Sequence, residues 1–289
     1  MYSTVQVGAK YSEGYRCYIS NDQGQPISPF HDIPLYASED KKVLNMVVEI
    51  PRNSNAKLEV SKDELMNPIK QDVKKGKLRF VKNCFPYAGY IWNYGAFPQT
   101  WESPMVADEG TGLPGDNDPI DVLEIGGSIA KIGEVKQVKV LGAMAMLDEG
   151  ETDWKILAID INDPLAEKLN DIDDVEALCP GMIEATRRWF RIYKVPDGKP
   201  MNIFAFNGEA KDRAYSEHLI EKVHQMWKDL ITGKVPAQTE KYNISVTNRA
   251  STSPFTIRKE EEALLPSQSS SLSDAPLPES VNEWAYVRD

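Results

Sequence analysis

A chain of 289 residues is long enough for one large domain or two modest ones around a sizeable core. With 41% hydrophobic and 27% charged residues it has the composition of an ordinary globular protein, and no apolar run approaches bilayer length. The 44 acids outnumber the 33 bases for a net charge of −11, which argues against a general nucleic-acid binder.

The first residues, Met1-Tyr2-Ser3-Thr4-Val5, have neither a signal-peptide core nor an Arg-rich transit character, so the expected location is cytoplasmic. Cys17, Cys84 and Cys179 are odd in number and far apart, which suits a reducing compartment and gives no disulfide framework or zinc spacing. Residues 43–160 read as β-rich. Strands are expected at 43–50, 56–60, 120–125, 135–147 and 154–161, where β-branched and aliphatic residues gather between Gly and Pro breaks. No GxGxxG or Walker loop is present, and strands do not alternate with helices. A small closed antiparallel barrel fits better than a parallel nucleotide-binding sheet.

Two helices follow. Pro180-Gly181 opens the first, with Met182, Thr186, Trp189, Phe190 and Tyr193 at helical spacing; Val195-Pro196-Asp197-Gly198 ends it. Asp212 caps the second, whose face carries Tyr215, Leu219, Val223, Trp227 and Leu230 before Gly233. Both stripes read as core faces packed on the barrel. Beyond Lys234 the pattern fades into low-complexity sequence around 267–278, an extended, partly disordered tail that Trp284 and Tyr286 could pin to the body or to a partner. From Lys234 onward there are 8 acids and 6 bases, so −9 of the −11 lies before it.

The chemistry concentrates in Asp116-Asn117-Asp118-Pro119-Ile120-Asp121, with a second acidic set at 148–153. Clustered carboxylates repel unless cations compensate, which suggests a multi-cation site of oxygen ligands. Asp116 and Asp118 are two apart, so an extended backbone aims them alike, and Pro119 can supply the bend that brings Asp121 round. The segment is not an EF-hand, because Asp121 and Gly127 stand where Gly and Glu are required. Hard carboxylates without Cys pairs favour Mg²⁺ or Mn²⁺ over zinc, and His218 and His224, six apart, do not form a zinc pair.

Asp148 and Asp153 flank a Glu-Gly-Glu-Thr loop, and Lys155 shares a face with Asp153. Strand alternation places Lys57 and Glu59 opposite the Leu58/Val60 face, and Glu49 opposite Val48/Ile50. Lys57, Arg79, Lys194, Tyr90, Tyr94 and Tyr193 are the donors available to a phosphate-rich substrate that metals would bridge to the acids. The alternatives are a related phosphoanhydride hydrolase acting on polyphosphate or nucleotides, and a nucleic-acid-binding barrel that stacks bases on Trp92, Tyr94 and Trp101.

Residues 116–122 fit the D-x-D-P-x-D-V signature of the family I soluble inorganic pyrophosphatases. The segments 67–72, 89–95, 148–155 and 193–200 resemble the longer, eukaryotic-type members, and the resemblance runs over about residues 15–233. It implies an α+β, mainly β fold: a five-stranded OB-like closed barrel with two long helices against it and an irregular C-terminal tail. Residues 1–233 would be the catalytic domain with an N-terminal extension, and 234–289 a C-terminal extension. It also implies Mg²⁺-dependent hydrolysis of pyrophosphate by direct attack of a metal-activated water, with no phosphoenzyme.

By motif, Asp116, Asp121 and Asp153 would ligate metals, with Asp148 and Glu59 serving those that arrive with substrate. Asp118 would be the general base. Arg79, Lys57, Tyr94, Tyr193 and Lys194 would hold phosphate oxygens and the leaving group, supported by Glu49, Tyr90 and Lys155. The resemblance further implies a homodimer. Pro51-Arg52-Asn53 departs from the family's Pro-Arg-Trp, and Ala88 replaces a His common before Gly89. Both positions are associated with the subunit contact, so the contact is expected to be altered.

Overall fold

The computed structural model describes residues 2–288 of the chain. Five strands, Leu44–Ile50, Asn93–Ala96, Asp121–Glu124, Val135–Asp148 and Glu151–Asp160, are joined edge to edge. The two longest pair with each other as well, so the hydrogen bonding returns on itself in a ring. The expectation of an all-antiparallel arrangement is corrected in one place, because Asp121–Glu124 runs parallel to Glu151–Asp160. The class is α+β with β dominant.

Both faces of the ring are covered, which is why its strands read as nearly continuous apolar runs. Val47, Leu123, Leu157 and Ile159 belong to a core shared with Trp189 and Phe190 of the Met182–Ile192 helix. Their neighbours Met46, Val48, Val122, Ile156 and Ala158 turn the other way, onto Leu219, Ile220 and Val223 of the Arg213–Ile231 helix. Gly95 permits the close approach of two ring strands, since a Cβ there would stand 1.9 Å from the Val47 carbonyl oxygen.

The long helices start where the sequence places them. Asp212 Oδ1 accepts from the Tyr215 N–H at 2.8 Å, and Gly181 opens the shorter helix with φ 86°. A third helix, Ile172–Leu178, was not anticipated; Asp171 and Asp174 form its capping box. Also unanticipated is a second sheet, in which Ser3–Gly8, Arg16–Ser20, Ile69–Gln71 and Leu58–Val60 pair in that order.

The C-terminal segment is a strap laid on the body. Ser270–Ser271 pairs in parallel with Val7 and Gly8, and Trp284–Ala285 with Asn83 and Cys84. Phe85 packs against Trp284 and Tyr286, with ring centroids 5.6 and 5.7 Å away. Tyr242, Ile244 and Val246 are buried in the same core as the ring strands. Among the described residues, no helix is long and apolar enough to cross a membrane.

Candidate active site

One end of the ring opens into a cavity of about 200 Å³. Its acidic wall is built by strand register. Asp121 lies directly opposite Lys155 across the parallel ladder, and Asp153 is two residues before Lys155 on the same face. The Lys155 ammonium bonds the Asp121 carboxylate and donates to Asp153 Oδ1 at 2.6 Å and to the Tyr94 hydroxyl at 3.3 Å. Burial alone would lower the Lys155 pKa, but the two carboxylates override it and hold the ammonium well above its ordinary range.

Asp116 and Asp118 reach the cavity by a different route from the one expected. The backbone between them is not extended. Asn117 has φ 70°, its side chain accepts from the Trp101 indole at 3.0 Å, and Asp116 Oδ1 accepts from the Asp118 N–H at 3.0 Å. This turn is held on both sides by Glu102, whose N–H donates to the Asp118 carbonyl and whose carbonyl accepts from Asn117. The second acidic loop is also tighter than expected. Asp148 pairs with Glu151, leaving only Glu149-Gly150, at φ 50° and 97°, as the hairpin turn.

The basic wall comes from residues beside short strands, Lys57 just before Leu58–Val60 and Arg79 just after Lys77–Leu78, and from the end of a helix. Lys57 Nζ lies 2.5 Å from Glu59 and 3.4 Å from Asp72, and Arg79 lies 2.6 Å from the same Asp72. Glu49 is buried and accepts from the Val60 N–H at 2.6 Å, tying the ring to the second sheet. Tyr193 and Lys194 follow the Met182–Ile192 helix. Tyr193 stacks on Trp189 at 4.9 Å, Tyr90 packs on the same indole at 4.8 Å, and Tyr94 meets Tyr90 at 5.2 Å. Lys194 bonds Asp148. Burial pushes all three phenols up, and Asp121 and Asp153 add to the effect on Tyr94.

All fourteen side chains singled out in the sequence therefore line one cavity. A family model described as inorganic pyrophosphatase matches residues 46–228. A curated inorganic pyrophosphatase from Zygosaccharomyces bailii is 58% identical over 286 residues, covering 99% of this chain and 98% of its own length. The chain belongs to the family I soluble inorganic pyrophosphatases. The solved inorganic pyrophosphatase of Schistosoma japonicum superposes with a TM-score of 0.87 at 45% identity, over 99% of this chain and 100% of that one. A truncated vacuolar soluble pyrophosphatase of Trypanosoma cruzi, solved in complex with PPi, gives 0.74 at 42% identity, over 81% and 92% of the respective chains.

The acids of this pyrophosphatase are in excess of what the protein itself can neutralise. Carboxylate oxygens of Glu102, Asp116 and Asp153 all lie within 4.8 Å of one another. Burial first, and then the neighbouring acids, push Asp116 and Glu102 well above the usual carboxylate range. Asp153, despite Lys155, is pushed up to about 7. Glu102 Oε2 and Asp148 Oδ1 are buried without a hydrogen-bond partner among the described residues. Such a set retains protons or takes up cations. The cavity lining contains no His or Cys, so the donors fit hard divalent ions.

Three contributors were missed. Glu102 is a lone acid beside Trp101 in an otherwise uncharged stretch, and that is the only signal the sequence carried for it. Lys62 pairs with Asp118 at 2.7 Å. Asp72 holds Lys57 and Arg79 together. The stacking platform of the nucleic-acid alternative does not exist, because Trp92 and Trp101 are buried and their indoles are bonded to Thr186 and Asn117.

Proposed function

We propose that this chain hydrolyses inorganic pyrophosphate to two phosphates by direct attack of water. The observation that carries the reading is a set of carboxylates gathered with Lys57, Arg79, Lys194 and three phenols around one small cavity. Asp116, Asp121 and Asp153, with Asp148 and Glu59, would hold divalent cations. These are proposed to be Mg²⁺, with Mn²⁺ as a substitute, and Glu102 joins Asp116 and Asp153. When bound, such ions neutralise the substrate and lower the pKa of water toward neutrality.

The protein's own groups do the rest. Asp118 is the proposed base. Its carboxylate lies on the cavity, paired among the described residues only to Lys62, and can take the proton as the water oxygen bonds to phosphorus and the anhydride P–O bond breaks. Arg79 and Lys57 hold phosphate oxygens, with Asp72 fixing the guanidinium. Lys194, Tyr193 and Tyr94 face the departing phosphate as negative charge builds on it. Glu49, Tyr90 and Lys155 support this set, Lys155 by keeping Asp121 and Asp153 in place.

The test is phosphate release from pyrophosphate with Mg²⁺, with chelator, and with ATP in parallel. Mg²⁺-dependent release from pyrophosphate and little from ATP is the expected result. Equal release from ATP would favour a broader anhydride hydrolase, and no release with any metal would remove the reading.

The ring of strands is read as an OB-like closed barrel. Residues 1–233 are read as the catalytic unit and 234–289 as an extension over it, in a cytoplasmic enzyme whose three cysteines are free. A homodimer is proposed on the face where Asn53 and Ala88 adjoin. Asn53 N–H donates to the Tyr90 carbonyl there, and Phe85, Trp284 and Tyr286 stand exposed nearby. With Asn at 53 in place of a large aromatic anchor, sedimentation velocity is expected to show dimer passing to monomer on dilution to low micromolar protein. A dimer that persists on dilution would show that the exposed aromatics suffice.

A further inference from the structure

Beside the catalytic cavity, and sharing Lys57, Arg79, Tyr193 and Lys194 with it, runs a larger groove of about 910 Å³. Eight of its lining residues are basic, namely Lys57, Lys74, Lys75, Lys77, Arg79, Lys82, Lys194 and Lys199. Only Glu13 and Asp197 are acidic, on a protein whose net charge is −11. Four of these bases already have carboxylate partners. Lys74, Lys75, Lys77 and Lys82 form no ion pair among the described residues.

The hairpin that carries three of them concentrates charge at a cost. Val73–Lys74 pairs with Lys77–Leu78 so that Lys74 and Lys77 are directly opposed. Like charges in that position destabilise a ladder. The turn is Lys75-Gly76, both at positive φ (53° and 70°), which is an unusual conformation for lysine. Among the described residues no carboxylate forms an ion pair with Lys74, Lys75 or Lys77. An anion would offset the concentration of charge.

We propose that the groove is a second anion site, which takes the outer phosphates of a linear condensed phosphate whose inner end reaches the mouth of the catalytic cavity. This rests on the reading of the inner cavity as a phosphate site. The shared residues Lys57, Arg79 and Lys194 make such a chain a competitor of pyrophosphate. The groove has more than four times the volume of the inner cavity, far more than a second diphosphate requires. A polynucleotide fits less well. Tyr11 and Phe80 pack on each other at 6.1 Å and Tyr193 stacks on Trp189, so these rings are already engaged. Pro276, Pro278 and Ser280 form part of the groove lining, which gives the C-terminal strap a part in it.

The test compares the wild-type chain with the triple variant Lys74→Gln, Lys75→Gln, Lys77→Gln. These changes lie on an exposed hairpin outside the proposed catalytic set. Calorimetric titration with linear polyphosphate of medium chain length, without divalent ions, reads the groove whether or not the inner site hydrolyses pyrophosphate. The variant is expected to bind polyphosphate about tenfold more weakly at low salt, with the difference shrinking as salt screens exposed charge. In turnover assays, polyphosphate should inhibit pyrophosphate hydrolysis about tenfold less well in the variant, while the KM for pyrophosphate moves by less than about twofold. Equal polyphosphate affinity in the two proteins would overturn the proposal. So would a KM for pyrophosphate that rises in step, which would make the groove a steering rim, or equally tight binding of a single-stranded oligonucleotide.

Discussion

Asp118→Asn lowers the turnover of pyrophosphate by about 10²- to 10⁴-fold, the range over which a general base contributes. The position separates this acid from its neighbours. Asp121 and Asp153 are clamped by a buried ammonium, and Asp116 crowds Glu102 and Asp153 within 4.8 Å. Asp118 is 42% exposed at its side chain, lines the cavity, and among the described residues its carboxylate is paired only with Lys62, at 2.7 Å. Asparagine keeps the volume and can still accept a hydrogen bond from Lys62, but it cannot take a proton at neutral pH. The turn is held by main-chain bonds to Glu102 and by Asn117, none of which the substitution touches. The urea midpoint should therefore move by no more than about 1 kcal/mol in free energy, as for a partly exposed ion pair. The loss should fall on kcat with KM little changed. Near-normal hydrolysis by a folded variant would remove Asp118 as the base.

What the sequence made legible was whatever depends on side-chain pattern. Four of the five ring strands were readable because both faces are buried, and the long helices because their stripes and caps are local. Asn93–Ala96 was not anticipated, and the strand expected at 56–60 lies in the second sheet as Leu58–Val60. The fourteen cavity residues came partly from strand alternation and partly from family motifs. The N-terminal strands were not readable: STVQVG and RCYIS are short, and their burial follows no clean alternation. The Ile172–Leu178 helix escaped because its capping box uses Asp rather than Glu at the third position.

The strap was legible in part: Trp284 and Tyr286 do pin it, both against Phe85, but its pairing was not readable. Its docking at Val7, Gly8, Asn83 and Cys84 is main-chain pairing, which leaves little trace in side-chain composition. Lys62, Asp72 and Glu102 lie beyond pattern altogether. Each becomes part of the site only because a distant segment folds against it. The turn at Asn117 carries the same lesson. Spacing two apart gave the right neighbours for the wrong backbone.

Acidification from pH 6.5 to 4 removes about 3 kcal/mol of stability through one buried side chain, His31. Its ring is 3% exposed and sits between two elements. The Trp227 indole, a donor only, gives to Nδ1 at 3.0 Å, so that nitrogen is unprotonated. Nε2 then carries the hydrogen and donates to the Ser245 carbonyl at 2.9 Å. The Trp227 contact requires the neutral ring; the Ser245 contact survives protonation and opposes the shift, but burial outweighs it and lowers the pKa from 6.5 to about 4. The unfolded chain takes up this proton near pH 6.5 and the folded chain only near 4, so the contribution is full above 6.5 and lost as pH falls between them.

The buried acids of the cavity titrate in the opposite sense, and half-buried His224 is shifted down as His31 is. The His31 contribution is therefore the difference between urea unfolding curves of the wild type and of His31→Gln, measured at each pH with saturating Mg²⁺. That difference should shrink by about 3 kcal/mol across the interval; a difference independent of pH would show that His31 does not carry the linkage. The consequence reaches the site, because Ser245 N–H donates to the carbonyl of Lys62, whose ammonium holds Asp118. Protonating His31 breaks the bond from Trp227 and loosens the ring that holds the Ser245 carbonyl. Hydrogen exchange at the Ser245 amide, whose N–H bonds the Lys62 carbonyl, should accordingly rise before global unfolding.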